Sequence, residues 1–193
     1  MTVALGSHLT PAAEAYATQV AEAIGELEAV YVGGSGALGG FDPQRSDIDL
    51  VAVVDRKLDE PEKAALARAI GELPLPAPRL ELVVYATGSQ PPAFELNLNA
   101  DSQGAAEHPD EPLHWFVIDA AVAQEHAVPL LGPPWSESFA PLRPAQVREA
   151  MEQSLAWSKQ RPGDEFAELN AIRARHYLEH GEWITKAEAE ARR

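Results

Sequence analysis

Residues 30 to 55 read Val-Tyr-Val-Gly-Gly-Ser-Gly-Ala-Leu-Gly-Gly-Phe-Asp-Pro-Gln-Arg-Ser-Asp-Ile-Asp-Leu-Val-Ala-Val-Val-Asp: two apolar runs joined by glycines, the second opening on alternating carboxylates. The pattern predicts a strand, a glycine-rich turn, a polar loop and a second strand over Asp47 to Val54. Side chains two apart on a strand share a face, so Asp47 and Asp49 project together while Ile48 and Leu50 enter the core. Two adjacent carboxylates repel, and a divalent cation between them relieves the repulsion. Gly33, Gly34 and Gly36 let backbone approach a polyanion closely, and Ser35 adds a hydroxyl donor. A phosphate cradle beside a carboxylate pair points to metal-assisted chemistry on a nucleoside triphosphate.

The rest of the chain supplies the frame. Residues 10 to 26 predict an amphipathic helix, with Thr10 as cap, Pro11 at the first position and Ala15, Val20, Ala23 and Ile24 at helical spacing. Ala29 to Val32 is the first strand, residues 59 to 73 a second helix, and Leu80 to Ala86 a third strand carrying Glu81. An acid among Leu80, Leu82, Val83 and Val84 is either an exposed edge residue or a third functional carboxylate. Phe94 to Asn99 alternates like a short strand, 101 to 112 reads as a polar loop, and 113 to 126 as a helix. Val128 to Leu131 is a last strand, broken by Gly132-Pro133-Pro134, and 135 to 141 reads as linker. Helices follow over 144 to 160, from a cap at Asp164 to His180, and from Ala187 onward. The fold class expected is α/β, a mixed sheet with flanking helices over 1–134, then a helical domain over 141–193.

The joint signal, Gly34-Ser35 followed by Ser46-Asp47-Ile48-Asp49-Leu50, resembles the signature of the polymerase-β-like nucleotidyltransferase superfamily. Together with Glu81, the run from Glu125 to Pro133 and the segment from Asn170 to Ala189, the chain is similar to the aminoglycoside nucleotidyltransferases that adenylylate streptomycin and spectinomycin. The resemblance implies ATP with its phosphates at Gly34, Ser35 and Ser46, and Mg²⁺ held by Asp47, Asp49 and Glu81. It implies Glu81 as general base on the acceptor hydroxyl, nucleotide contacts from Asp119, Arg173 and Lys186, and an active site between the two domains. Where those enzymes carry a tryptophan that packs on streptomycin, Asp101 stands here, which turns the expectation away from streptomycin itself. They also continue for several more helices, so a shortened or truncated helical domain is expected.

Asp164 and Glu168, one turn apart, either receive ammonium groups of an aminoglycoside or aminocyclitol or are ordinary exposed helix residues; Lys186 is likewise a nucleotide contact or a solvated helix-start lysine. With 30 Asp plus Glu against 15 Lys plus Arg, the formal charge is -15. Such a field disfavours nucleic acid and favours a cationic small molecule, although an acidic surface also serves solubility alone. The chain contains no cysteine, which excludes disulfides and thiolate metal sites and suits a reducing cytoplasm. No charged start with an apolar run opens it and no stretch approaches about 18 apolar residues, so neither a targeting segment nor a membrane span is expected. There is no P-loop lysine motif and no Gly-x-Ser-x-Gly elbow. The alternative reading is a nucleotidyltransferase-type antitoxin that binds and modifies a protein partner, which shares the same signature and would co-purify with that partner. Oligomeric state is not legible.

Overall fold

The computed structural model describes residues 6–193, whose helices and strands alternate through the first two thirds of the chain before the sequence becomes wholly helical. In order these are α1 (Pro11–Ile24), β1 (Ala29–Val32), α2 (Gly34–Leu38), β2 (Ile48–Val54), α3 (Glu60–Gly71), β3 (Leu80–Ala86), β4 (Leu96–Asp101) and β5 (Gly104–Glu107). Then come α4 (His114–His126), β6 (Val128–Leu131), α5 (Trp135–Ser138), α6 (Pro144–Lys159), α7 (Glu165–His180) and α8 (Lys186–Glu190). The strands form one mixed sheet in the order β5-β4-β3-β2-β1-β6. Among the described residues its only parallel pair is β2 with β3, whose α3 crossover supplies the length that a parallel connection needs.

Alternation along the strands gives the sheet two unlike faces. Val30, Val32, Ile48, Leu50, Ala52, Leu80, Leu82, Val84, Leu96 and Leu98 face one side and are buried with Ala13, Tyr16, Ala17 and Val20 of α1 and Leu66 and Ile70 of α3. Burying the Val, Leu and Ile side chains among them contributes about 1.5–3 kcal/mol each, so this layer fixes strand register. The buried stripe of α1 is Ala13, Tyr16, Ala17 and Val20; Ala15, expected on it, is exposed. The helix is capped as expected, the Thr10 hydroxyl accepting from Ala13 N at 3.3 Å. Asp59 and Glu62 form a reciprocal capping box on α3.

Three local expectations are corrected. The glycine turn after β1 closes into the one-turn helix α2, because its backbone satisfies itself through Ala37 N donating to Gly33 O at 3.0 Å. The polar stretch after residue 101 contains a strand: Gly104, at φ +125°, closes a tight turn that pairs Asp101 with Gly104 and carries β5 back along β4. The segment 135 to 141 is not a plain linker, for Trp135 and Phe139 stack at 4.2 Å and are both buried. Phe139 meets Tyr85 edge-on at 5.3 Å, and Tyr31 OH lies 3.0 Å from Pro133 O and 2.7 Å from Ser138 Oγ. These rings cover the far end of the second sheet face.

Two compact units emerge, one comprising the chain up to Glu111 with Ala123–Pro141, the other Pro112–Val122 with Leu142–Arg193. The start of α4 thus groups with the helical unit, where Ile118 packs with Ala150, Met151 and Ala174. In that unit Trp115 meets Trp157 edge-on at 5.3 Å, and Arg161 lies over Trp157 at 4.0 Å. Among the described residues no helix is long and apolar enough to cross a membrane.

Candidate active site

The second face of the sheet changes character where β1 ends and β2 and β3 begin. There Asp49 of β2 is the register partner of Glu81 of β3, and Glu81 is in turn the partner of Asn99 on β4. Residues opposite one another in neighbouring strands project to the same side, so Asp49, Glu81 and Asn99 form a lateral polar row. Asp47 lies one residue ahead of β2 and is partly buried.

The glycine segment reaches this row directly. Gly33 N donates to Asp49 O at 2.9 Å, which continues the β1 and β2 pairing past the end of β1. Gly34, at φ +47°, lies against the Asp49 side chain so closely that a Cβ there would overlap Oδ2. Glycine is therefore required at 34 by contact as well as by backbone conformation. Ser35 follows, half-buried in α2. Ser46 is engaged in the Asp42 turn: its Oγ accepts from Asp42 N at 3.1 Å and its N donates to Asp42 O at 2.7 Å.

Arg79, which no sequence motif marks, stands beside these acids. Its carbonyl accepts from Ile48 N at 2.9 Å, which anchors its backbone beside the start of β2. Its guanidinium spans two carboxylates, with Nε 3.7 Å from Asp47 Oδ1 and Nη1 3.7 Å from Glu81 Oε1. The available signal was its position two residues before Glu81, hence on the same strand face. A cavity of about 550 Å³ adjoins, lined by Arg79, Asn99, Glu107, His108, Asp110 and Glu111. Its wall is held by buried Asn97, whose Nδ2 donates to His108 O at 2.9 Å and Glu111 Oε2 at 2.8 Å.

The geometry of the carboxylates decides what kind of metal site they can make. Among the described residues, no three His, Asp or Glu side chains gather closely enough to hold an ion unaided. Asp47, Asp49 and Glu81 are accordingly no closed three-ligand cage. They do supply oxygen donors beside a glycine backbone, and Mg²⁺ is usually held by one or two carboxylates with substrate phosphates completing its octahedron. The donor set fits that shared arrangement.

The remaining sequence candidates fall in the helical unit. Asp119 is exposed on α4. Arg173 ties α7 to the following segment, Nε donating to Ile184 O at 3.1 Å and Nη1 to Asn170 Oδ1 at 3.4 Å. Lys186 is exposed at the start of α8, behind its Thr185 cap, with Nζ 5.9 Å from the Phe166 ring centre. The Asp164 carboxylate caps α7 by accepting from Ala167 N at 3.1 Å, and Glu168 pairs with Arg193 at 2.9 Å. Both acids thus have structural partners within α7 and its neighbour segment.

Comparison with known proteins agrees with the sheet. Residues 17–92 match the nucleotidyltransferase domain family, a span that includes Gly34, Ser35, Ser46, Asp47, Asp49, Arg79 and Glu81. The mixed sheet with flanking helices and a helical C-terminal region is the nucleotidyltransferase fold. A similar solved structure is the crystal structure of spectinomycin adenyltransferase AAD(9) from Enterococcus faecialis with ATP and spectinomycin. It shares 18% identity at a TM-score of 0.74, over 94% of this chain and 81% of that one. No curated protein matches the sequence.

Proposed function

We propose that the protein is a divalent-metal-dependent nucleotidyltransferase that moves AMP from ATP onto a hydroxyl of an aminoglycoside or aminocyclitol. The observation that carries this reading is the register of Asp49 with Glu81, one strand apart, with Gly34 packed against the Asp49 carboxylate. Asp47 and Asp49 would hold Mg²⁺ with the triphosphate, and Glu81 would stand beside it. When bound, the ion supplies positive charge that offsets the charge developing on the α-phosphate and the leaving pyrophosphate.

The chain's own groups account for the rest. Gly33 and Gly34 let the triphosphate approach backbone without side-chain obstruction, and Ser35 offers a hydroxyl donor. Glu81 accepts the proton of the acceptor hydroxyl as that oxygen bonds to the α-phosphorus, and the bond to the bridging oxygen of the β-phosphate breaks to release pyrophosphate. The solved spectinomycin adenyltransferase was crystallised with ATP and spectinomycin, which supports this choice of donor and acceptor class. The acidic balance, -15 overall, favours a cationic acceptor.

The test is incubation with Mg²⁺, each nucleoside triphosphate and a panel of aminoglycosides and spectinomycin, followed by mass spectrometry. An adenylyl adduct that vanishes in Asp49→Asn is the expected result. No adduct on any acceptor, in a sample that binds ATP, would overturn the acceptor class.

A further inference from the structure

Arg79 occupies the place where a cation is wanted. Its guanidinium lies 3.7 Å from Asp47 and 3.7 Å from Glu81, two of the carboxylates assigned above to metal-assisted transfer. Both distances exceed hydrogen-bond range, so the contacts are Coulombic rather than bidentate. The side chain is 48% exposed, which screens them further. A loosely held monovalent cation on these acids is easily displaced by a divalent ion that binds their oxygens directly. The adjoining cavity, with Glu107, Asp110 and Glu111 on its wall, offers the displaced guanidinium other carboxylates.

We propose that Arg79 is a positioning residue that stands in for the metal: it draws Asp47 and Glu81 together while the ion is away and yields to the ion when it binds. This rests on the metal-dependent reading of the site. Arg79 lowers the repulsion within the ion-free carboxylate group, and by competing for the same oxygens it weakens metal affinity. The protein thereby keeps an ordered site and releases its ion readily. Its backbone bond to Ile48 N fixes the point from which the side chain reaches the site.

The experiment is Mn²⁺ binding in the presence of a saturating non-hydrolysable ATP analogue, by electron paramagnetic resonance and calorimetry, on the full chain and on Arg79→Met and Arg79→Lys, with melting temperatures at zero and saturating Mn²⁺. Arg79→Met should bind Mn²⁺ about fivefold more tightly, the scale of two part-exposed ion pairs. It should melt lower than the parent without metal and close to it with metal, and Arg79→Lys should keep the parent affinity. Unchanged or weaker Mn²⁺ binding in Arg79→Met, or an equal loss of stability with and without metal, would overturn the proposal while leaving the metal site standing. Absence of Mn²⁺ binding in parent and Arg79→Met alike would overturn both this proposal and the metal-dependent reading.

Discussion

Asp49 and Glu81 are 32 residues apart in sequence yet directly paired across the parallel ladder of β2 and β3, with Asn99 completing the row. Their proximity follows from backbone pairing and requires no flexible loop. Asp49→Asn removes charge and preserves shape, so transfer should fall by about a thousandfold, the scale expected when a phosphoryl-transfer site loses its metal ligand. Glu81→Gln should lower turnover by about 10²–10⁴, as loss of a general base does. Single-turnover rates measure both, with melting temperature as the control that the fold is kept.

Gly34→Ala places a methyl group where the Asp49 carboxylate lies. The carboxylate or the turn has to move, and positional errors near 1 Å cost about a hundredfold in rate. Turnover should fall by that order while the melting temperature changes by only a few degrees. A steady-state assay paired with a thermal melt separates the two effects.

For Asp164 the structure supplies a local role. As the cap of α7 it satisfies Ala167 N, so Asp164→Ala should cost about 1 kcal/mol of stability in urea titration. The KM for an accepted acceptor should stay within twofold. A large rise in KM with little change in stability would instead assign the carboxylate to the substrate.

His114 is buried, and burial holds its imidazole below the usual histidine range. The unfolded chain therefore takes up a proton there before the folded chain does. Stability that depends on the neutral ring is complete above the unfolded value of about 6.5 and is lost as pH falls from there through the folded value. The melting temperature should drop between pH 7 and 5, and His114→Leu should flatten that part of the profile. Calorimetry across the range gives the comparison.

Much of this arrangement is written in local sequence. The apolar runs at β1, β3 and β6 have clear ends, Thr10 and Asp164 are strong caps, and Gly181 ends α7 in the left-handed conformation. What local sequence lacks is the identity of strand neighbours. Asp47 and Asp49 share a face by spacing alone, but the partnership of Asp49 with Glu81 depends on a parallel register set by distant packing. Helix α2 was hidden because glycine disfavours helix, and contact with β2 overrides that preference. Strand β5, Gly-Ala-Ala-Glu, has no β-branched or aromatic residue to announce it. Arg79 was missed because a lone arginine before a strand reads as surface charge until its guanidinium is seen between two acids.

The alternation of β2 and β3 also governs how this protein can fail. Ile48, Leu50, Leu80 and Leu82 are each at most 1% exposed, while Asp49 and Glu81 occupy the intervening positions. A one-residue slip would drive both acids into hydrocarbon and the four aliphatic side chains into water, a state far too costly to populate. Misaligned but folded molecules are thereby outlawed, and a weakened core thins the number of working copies without blunting any one of them. Specific activity per folded molecule should hold constant across core variants even as their yield declines, so here accuracy is a by-product of oil and water.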